Sequence, residues 1–221
     1  MLAWARREAA ARHCTLRVLA ARSENSSEFL DDAADATLLI VGIEPFDGSR
    51  RRGSCPVVVV RGAPRHRLQR IVVGVDSSNA AAAALDWAMT EAAIHGAWVS
   101  VVHAWQQPTD GERSPRGSDL RQADAQCIAD LAADLYDLDP EPRIQRWAVQ
   151  GPAAEVLVKA STSADLVVVG SRGHSGYRTL RYGSVALAMV ESADCPVVVV
   201  HPRLVTSGTG DPSDTTRARR S

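Results

Sequence analysis

Three glycines and a serine, spaced Gly170-x2-Gly173-x9-Gly183-Ser184, are the residues of this chain best suited to chemistry. They follow the apolar run Leu166-Val167-Val168-Val169 and precede Val185, Leu187, Ala188 and Val190. An apolar run closed by glycine reads as a buried parallel strand. Ser184 then reads as the cap of a helix running to about Glu191. Glycine lets backbone N–H groups approach a ligand, and a helix N-terminus adds unpaired N–H groups and a positive dipole end. No acidic residue lies between Leu166 and Val190, whereas Arg172, His174, Arg178 and Arg181 do. Such a strand, loop and helix suit a polyphosphate.

The spacing excludes two familiar phosphate loops. No Gly-Lys-Ser/Thr and no Gly-x-Gly-x-x-Gly follows a strand. The loop carries no lysine for a terminal phosphate and no acid marked as a magnesium ligand, so binding without efficient turnover is expected. Glycine here also has purely conformational uses. Arg172, Arg178 and Arg181 read singly as solvated loop charges, with Arg172 kept as a candidate phosphate contact. His103 lies within an apolar strand and has no second histidine or cysteine at metal spacing, so it reads as a packed strand residue. The five tryptophans fall mostly on expected helices and strands and read as core, not as a stacking platform for nucleic acid.

The elements that must position these residues alternate between strand and helix. Ile71 to Asp76 reads as strand one and Ala80 to about Ile94 as an alanine-rich helix. Trp98 to Ala104 is strand two, and the polar stretch Gln107 to Ser118 a loop. Leu120 to about Leu138 has helical spacing, Ile144 to Val149 is strand three, and Pro152 opens a helix to about Ala160. Leu166 to Gly170 and Val197 to Val200 are strands four and five. This alternation implies right-handed crossovers and an open α/β fold, a parallel five-stranded sheet with helices on both faces.

Part of the pattern occurs twice. Trp4-Ala5-Arg6-Arg7-Glu8-Ala9-Ala10 matches Trp87-Ala88-Met89-Thr90-Glu91-Ala92-Ala93, each followed by a short apolar strand. Leu38-Leu39-Ile40-Val41-Gly42 matches Leu166 to Gly170, and Cys55-Pro56-Val57-Val58-Val59-Val60 recurs at Cys195 to Val200. A period this long indicates duplicated domains. The first copy lacks strand one and its aspartate, and only Arg22 to Asp35 separates its second strand from its fourth. From Gly42 to Cys55 there are 12 intervening residues, against 24 from Gly170 to Cys195. A phosphate loop plus a full helix cannot fit there, and Glu44, Pro45 and Asp47 bring negative charge and remove a donor. The domain reading is a truncated copy over 1–62, a linker over 63–69, a complete domain over 70–203 and a disordered tail over 204–221.

Composition narrows the class. The 221-residue chain has a formal net charge of −1, which points to neither nucleic acid nor an anionic membrane. Cys14, Cys55, Cys127 and Cys195 form no Cys-x-x-Cys pair, so zinc and disulfide frameworks are not expected and reduced thiols are. The N-terminus lacks the apolar core of a signal peptide, and a cytoplasmic location is expected. The apolar edge Val197, Val198, Val199 and Val200 must be covered, either by Val57 to Val60 of the same chain or by its twin in a homodimer.

The glycine-serine spacing resembles the ATP-binding motif of the universal stress protein family, without insertion or substitution at the marked positions. The resemblance covers residues 70 to 202 strongly and 1 to 61 in fragments. It implies the strand order 3-2-1-4-5, and ATP as ligand, with or without magnesium. It also implies phosphate contacts from Gly170, Gly173, Gly183, Ser184 and Val185, and adenosine contacts from Gly74 and Ala104. Asp76 stands where the family's aspartate meets the ribose or base; a cap for the following helix is its other use, one that Ser77, Ser78 or Asn79 can fill. The implied function is stress adaptation or signalling through a nucleotide-dependent protein partner. An interaction module that keeps the motif unused and a slow ATP-processing enzyme are the alternatives.

Overall fold

Short runs of β-branched residues build one sheet. In the computed structural model, which describes residues 1–18, 36–42, 55–60, 67–106, 126, 143–173 and 182–202, the strands are β1 (Leu39–Val41), β2 (Val57–Val59), β3 (Arg70–Gly74), β4 (Trp98–Trp105), β5 (Ile144–Gln150), β6 (Leu166–Gly170) and β7 (Val197–Val200). The described helices are α1 (Leu2–Ala11), α2 (Asn79–His95), α3 (Ala153–Ser161) and α4 (Ser184–Ser192). Valine is stiff at χ1 and packs well on a pleated surface, and strands rich in it tolerate burial on both faces. Every residue of β2 and β7 is accordingly buried.

The sheet has seven strands in the order β1-β2-β7-β6-β3-β4-β5. Its β5-β4-β3-β6-β7 part is the expected 3-2-1-4-5 arrangement, parallel throughout. Side chains alternate across it. Val58, Val60, Ile71, Val73, Leu166, Val168, Val198 and Val200 pack on one face with Trp4 of α1 and with Ala84, Leu85, Ala88 and Met89 of α2. Val57, Val59, Val72, Val167, Val169, Val197 and Val199 pack on the other with Leu157 of α3 and with Ala186, Met189 and Val190 of α4. The alanine and leucine content of α2 favours helix. The Ser78 hydroxyl caps its start by accepting the Ala81 N–H at 3.1 Å, and Gly96, at φ 64°, ends it.

The apolar edge of β7 is covered within the chain. β2 pairs antiparallel with β7 in the register Val57↔Val199, Val58↔Val198, Val59↔Val197. Because Val58 and Val198 hold equivalent places in the repeated Cys-Pro-Val-Val-Val-Val sequence, each faces its own counterpart. A quasi-two-fold axis therefore passes between them, as in a symmetric dimer.

The same reciprocity joins α1 to α2. Glu8 of α1 and Arg12, its C-cap, match Glu91 and His95 of α2 in the repeat. Arg12 donates Nε–H to Glu8 Oε1 and an Nη2–H to Glu91 Oε2, while His95 Nε2 lies 3.2 Å from both Glu8 Oε2 and Glu91 Oε1. The Arg12 guanidinium also lies 5.4 Å from the Trp87 ring centroid. Hydrogen bonds to Glu8 and then Glu91 raise the His95 pKa from 6.5 to about 9. For Glu8, burial pushes the pKa up, but hydrogen bonds from His95 and Arg12 outweigh it and hold the carboxyl at about 2. Burial pushes the Glu91 carboxyl up.

Several sequence expectations need correction. Of the short strand expected after α1, the described residues 14–18 form none, and Val18 is 65% exposed; residues 19–35 lie outside the described residues. β3 ends at Gly74, so Asp76 lies beyond the strand. Pro152 stands just outside α3, as its N-cap. Trp4 is core, but Trp98 and Trp147 are 40% and 49% exposed in the described structure. The segment 107–125, all of 120–138 but Gln126, which is helical, residues 61–66 of the linker region and the tail from 203 lie outside the described residues, as do Arg22 to Asp35, Glu44, Pro45 and Asp47.

Two outcomes are expected. Residues 1–62 alone lose the surface under Trp4, Val58 and Val60, and about sixty residues already sit near the lower limit for independent folding. Their amide NMR spectrum should be collapsed, while residues 63–203 fold and self-associate through the bared β7 edge, with Val198→Lys suppressing association in light scattering. The second outcome concerns pH in chelator-treated protein. The folded His95 pKa lies above the unfolded value, so its contribution is whole below pH 6.5 and is lost as pH rises through about 9. Glu8 acts oppositely, its contribution being present above pH 4.5 and lost as pH falls towards 2. Melting curves of the full chain should fall between pH 6.5 and 9.5, and His95→Gln should flatten that slope.

Candidate functional site at the sheet switch point

β3 and β6 lie side by side in the register Ile71↔Leu166, Val72↔Val167, Val73↔Val168, so Gly74 and Gly170 end at one edge of the sheet. From there the chain departs in opposite directions, through α2 to β4 and through α4 to β7. An open α/β sheet binds ligands at such a reversal.

Asp76 sits on this edge. Its Oδ1 accepts the Ser78 N–H at 2.9 Å, closing a turn just before α2. The cap of α2 is Ser78, so that function does not fall to Asp76. The other carboxylate oxygen faces the glycine loop: a Cβ on Gly173 would lie 2.8 Å from Asp76 Oδ2. Two segments far apart in sequence thus meet at the crevice, and a side chain at 173 would have to push the Asp76 carboxylate aside.

Both ends of the loop are tethered. Ser171, itself buried, donates its N–H to the Val200 carbonyl at 2.7 Å, and Gly183 donates to the Ser171 carbonyl at 2.7 Å. The Ser78 hydroxyl lies 3.4 Å from the Arg172 carbonyl. Residues 174–181, with His174, Arg178 and Arg181, lie outside the described residues. Gly183, not Ser184, is the N-cap of α4, with no side-chain cap bond, and Ser184 is the first helical residue. The sequence misplaced the cap by one because the strand-like Gly183 backbone (φ −75°, ψ 164°) already turns the chain into the helix. With the Gly183 N–H spent on Ser171, the orphan donors are the first-turn N–H groups of Ser184, Val185 and Ala186. No acidic residue stands in that first turn, so the positive end of the helix dipole is unopposed locally. Ser184 and Arg172 are exposed, and Val185 and Asp76 half-buried.

The remaining candidates have packing roles. A Cβ on Gly170 would lie 2.7 to 2.9 Å from the Ala80 carbonyl group and Cβ, so this glycine is demanded by the first turn of α2. A Cβ on Gly74 would meet Leu157 Cδ1 at 2.7 Å, the end of a side chain that can turn aside. Ala104, half-buried, lies near the end of β4, two residues past the Gly74↔Val102 pair. Beside it His103 bonds through Nδ1 to the Val75 carbonyl at 2.9 Å. The carbonyl can only accept, so Nδ1 carries the hydrogen, and His103 ties β4 to the turn that holds Asp76. All nine sequence candidates are therefore described, and they gather at or near one edge of the sheet. What sequence reasoning missed is the Glu8, Arg12, Glu91 and His95 cluster, although the repeat that aligns Glu8 with Glu91 also carries a basic residue four positions on in both copies.

A cavity of about 480 Å3 lies elsewhere, lined by Trp4, Glu8, Gln69, His95 and Asp165 among others. Gln69 and Asp165 precede β3 and β6, so this cavity is at the opposite edge of the sheet from the glycine loop. Among the described residues no helix is long and apolar enough to cross a membrane.

A sequence model of the universal stress protein family matches residues 67–201. The chain is 31% identical over 192 residues to universal stress protein Rv2623 of Mycobacterium tuberculosis (strain ATCC 25618 / H37Rv), covering 79% of this chain and 65% of that protein. It is 34% identical over 149 residues to universal stress protein Rv2624c of the same strain, covering 65% and 52%. The chain thus spans about half to two thirds of the length of these relatives. Among solved structures, a functionally unknown protein, PA1789 of Pseudomonas aeruginosa PAO1, shares the fold with a TM-score of 0.61 at 16% identity, covering 91% of this chain and 76% of that one. A universal stress protein in complex with cAMP aligns with a TM-score of 0.50 at 26% identity, covering 61% and 97%.

The glycine contacts predict an ordering of stabilities. Gly170→Ala should cost about 1–3 kcal/mol, because backbone cannot yield to the added methyl group, and Gly74→Ala less, because Leu157 can move. Urea unfolding of the two variants measures the difference, and equal losses would contradict the packing argument.

Proposed function

This chain belongs to the universal stress protein family, and we propose that it binds ATP at the sheet switch point and uses nucleotide occupancy to alter contact with a protein partner in stress adaptation or signalling. The carrying observation is the pairing of Gly173, bare against Asp76 Oδ2, with the uncapped first turn of α4. A nucleotide laid across the crevice puts its anionic end on α4 and its hydroxyl-bearing sugar towards the carboxylate. In this reading the Ser184 and Val185 N–H groups and the Ser184 hydroxyl hold phosphate oxygens, with Arg172 beside them. Gly170 and Gly183 shape the loop, Asp76 accepts from the ribose, and Gly74 and Ala104 border the adenosine. Magnesium, where present, arrives on the phosphates. A hydrogen bond to a charged group contributes about 1.5–3 kcal/mol. Three such bonds supply most of the roughly 8 kcal/mol of a micromolar complex.

The described crevice has no lysine beside the loop, so the reading is a binding protein and not an efficient ATPase. A second reading, a cyclic nucleotide receptor, is favoured by the family member solved with cAMP. A single phosphate leaves some first-turn donors unused, which supports the triphosphate.

Calorimetric titration of the full chain with ATP, GTP and cAMP is the test. One ATP per chain at micromolar affinity is expected, with GTP and cAMP weaker. Gly173→Val should weaken ATP at least about ten-fold by closing the approach, and Ser184→Ala about three- to ten-fold through one lost hydroxyl. Equal or absent heats for ATP and GTP would overturn the reading.

A further inference from the structure

Between α1 and α2, Glu8, Glu91 and His95 bring three possible ligand atoms within 4.8 Å of one another. The two carboxylates divide their oxygens between two tasks. The outer oxygens, Glu8 Oε1 and Glu91 Oε2, accept from Arg12. The inner oxygens, Glu8 Oε2 and Glu91 Oε1, each lie 3.2 Å from His95 Nε2. A single Nε2–H cannot be directed at both. It serves Glu8, and Glu91 Oε1, on a residue with 0% exposure, meets His95 Nε2 at 3.2 Å without the geometry of a full hydrogen bond among the described residues. Arg12 and a protonated His95 balance the two carboxylates, and the imidazolium proton between the inner oxygens stands where a divalent cation can replace it.

The spacing identifies the class of cation. Zinc holds histidine nitrogen and carboxylate oxygen at about 2.0–2.2 Å, and neighbouring ligand atoms of a tetrahedron on such bonds are about 3.3–3.5 Å apart. Both distances from His95 Nε2, 3.2 Å each, fall about 0.1 Å short of that edge, a gap that a small side-chain movement closes. All three ligand atoms lie within 4.8 Å of one another, so closing the third edge takes a shift of at most about 1.5 Å. Arg12 already occupies the second shell, orienting both carboxylates through the oxygens that the metal would not use. The cavity that Glu8 and His95 help to line supplies an entry path and room for a water as fourth ligand.

We propose that Glu8, Glu91 and His95 form a zinc site that staples α1 to α2, with Arg12 as the positioning residue. Binding replaces the His95 Nε2 proton by the metal and releases that proton to solvent. It joins the two sequence copies on the face of the sheet opposite α3 and α4, at the edge away from the glycine loop, so it is independent of the nucleotide reading.

The test is calorimetric titration of zinc chloride into chelator-stripped full chain, repeated in buffers of different ionisation enthalpy. One zinc per chain with proton release is expected. Cobalt(II) should give the intense visible absorption of a tetrahedral site, and the His95 ring resonances should shift on zinc addition to the wild type. His95→Gln should weaken binding more than about 100-fold, and Arg12→Gln about 10- to 100-fold. Circular dichroism reports whether these variants stay folded. Should they not, the His95 resonances of the wild-type chain decide alone. Absence of stoichiometric zinc binding, unshifted His95 resonances, or undiminished affinity in a folded His95→Gln chain would overturn the proposal.

Discussion

The antiparallel contact of Val57 to Val59 with Val197 to Val199 is what the rest of the molecule depends on. β7 carries four buried valines and, without β2, would present an open apolar edge. β2 in turn has only the three-residue β1 on its far side. Each strand therefore removes the other's liability, and the contact extends a five-stranded sheet to seven without inserting a polar seam. The pairing also sets where α1 lands, on the same face as α2, with Trp4 inside the same apolar cluster.

The crevice inherits its geometry from this frame. Ser171 bonds to the last residue of β7, so the start of the glycine loop hangs from the strand that β2 covers. Its far end folds back on Ser171 through Gly183, and Gly173 near its start lies against Asp76. Strand pairing, loop anchoring and the exposed first turn of α4 are thus links of one chain of dependence.

Much of this was legible in the sequence, and the failures have physical causes. Leu166 to Gly170 and Val197 to Val200 were read with correct bounds because strands buried on both faces are apolar at every position. Strand order came from resemblance, since periodicity carries no information on neighbours. The α2 cap went undecided because Asp76, Ser77, Ser78 and Asn79 all have capping chemistry, and only the 3.1 Å contact to Ala81 selects one. The cluster of Glu8, Arg12, Glu91 and His95 was half visible as matched spacings in the repeat. Its convergence needed the quasi-two-fold axis, a relation between segments that no local pattern encodes.

The symmetric contact lies inside one polypeptide, with nine residues between Val60 and Arg70. A connection within one chain makes the pairing of β2 with β7 an intramolecular event. Their association is then insensitive to dilution, and their stoichiometry is one to one by synthesis. In a true two-fold dimer every substitution appears on both sides at once. Here the position equivalent to His95 is Arg12, and one half keeps a crevice while the other serves as an edge cover. Covalent linkage has released the two halves from identity while leaving them the interface of identical partners.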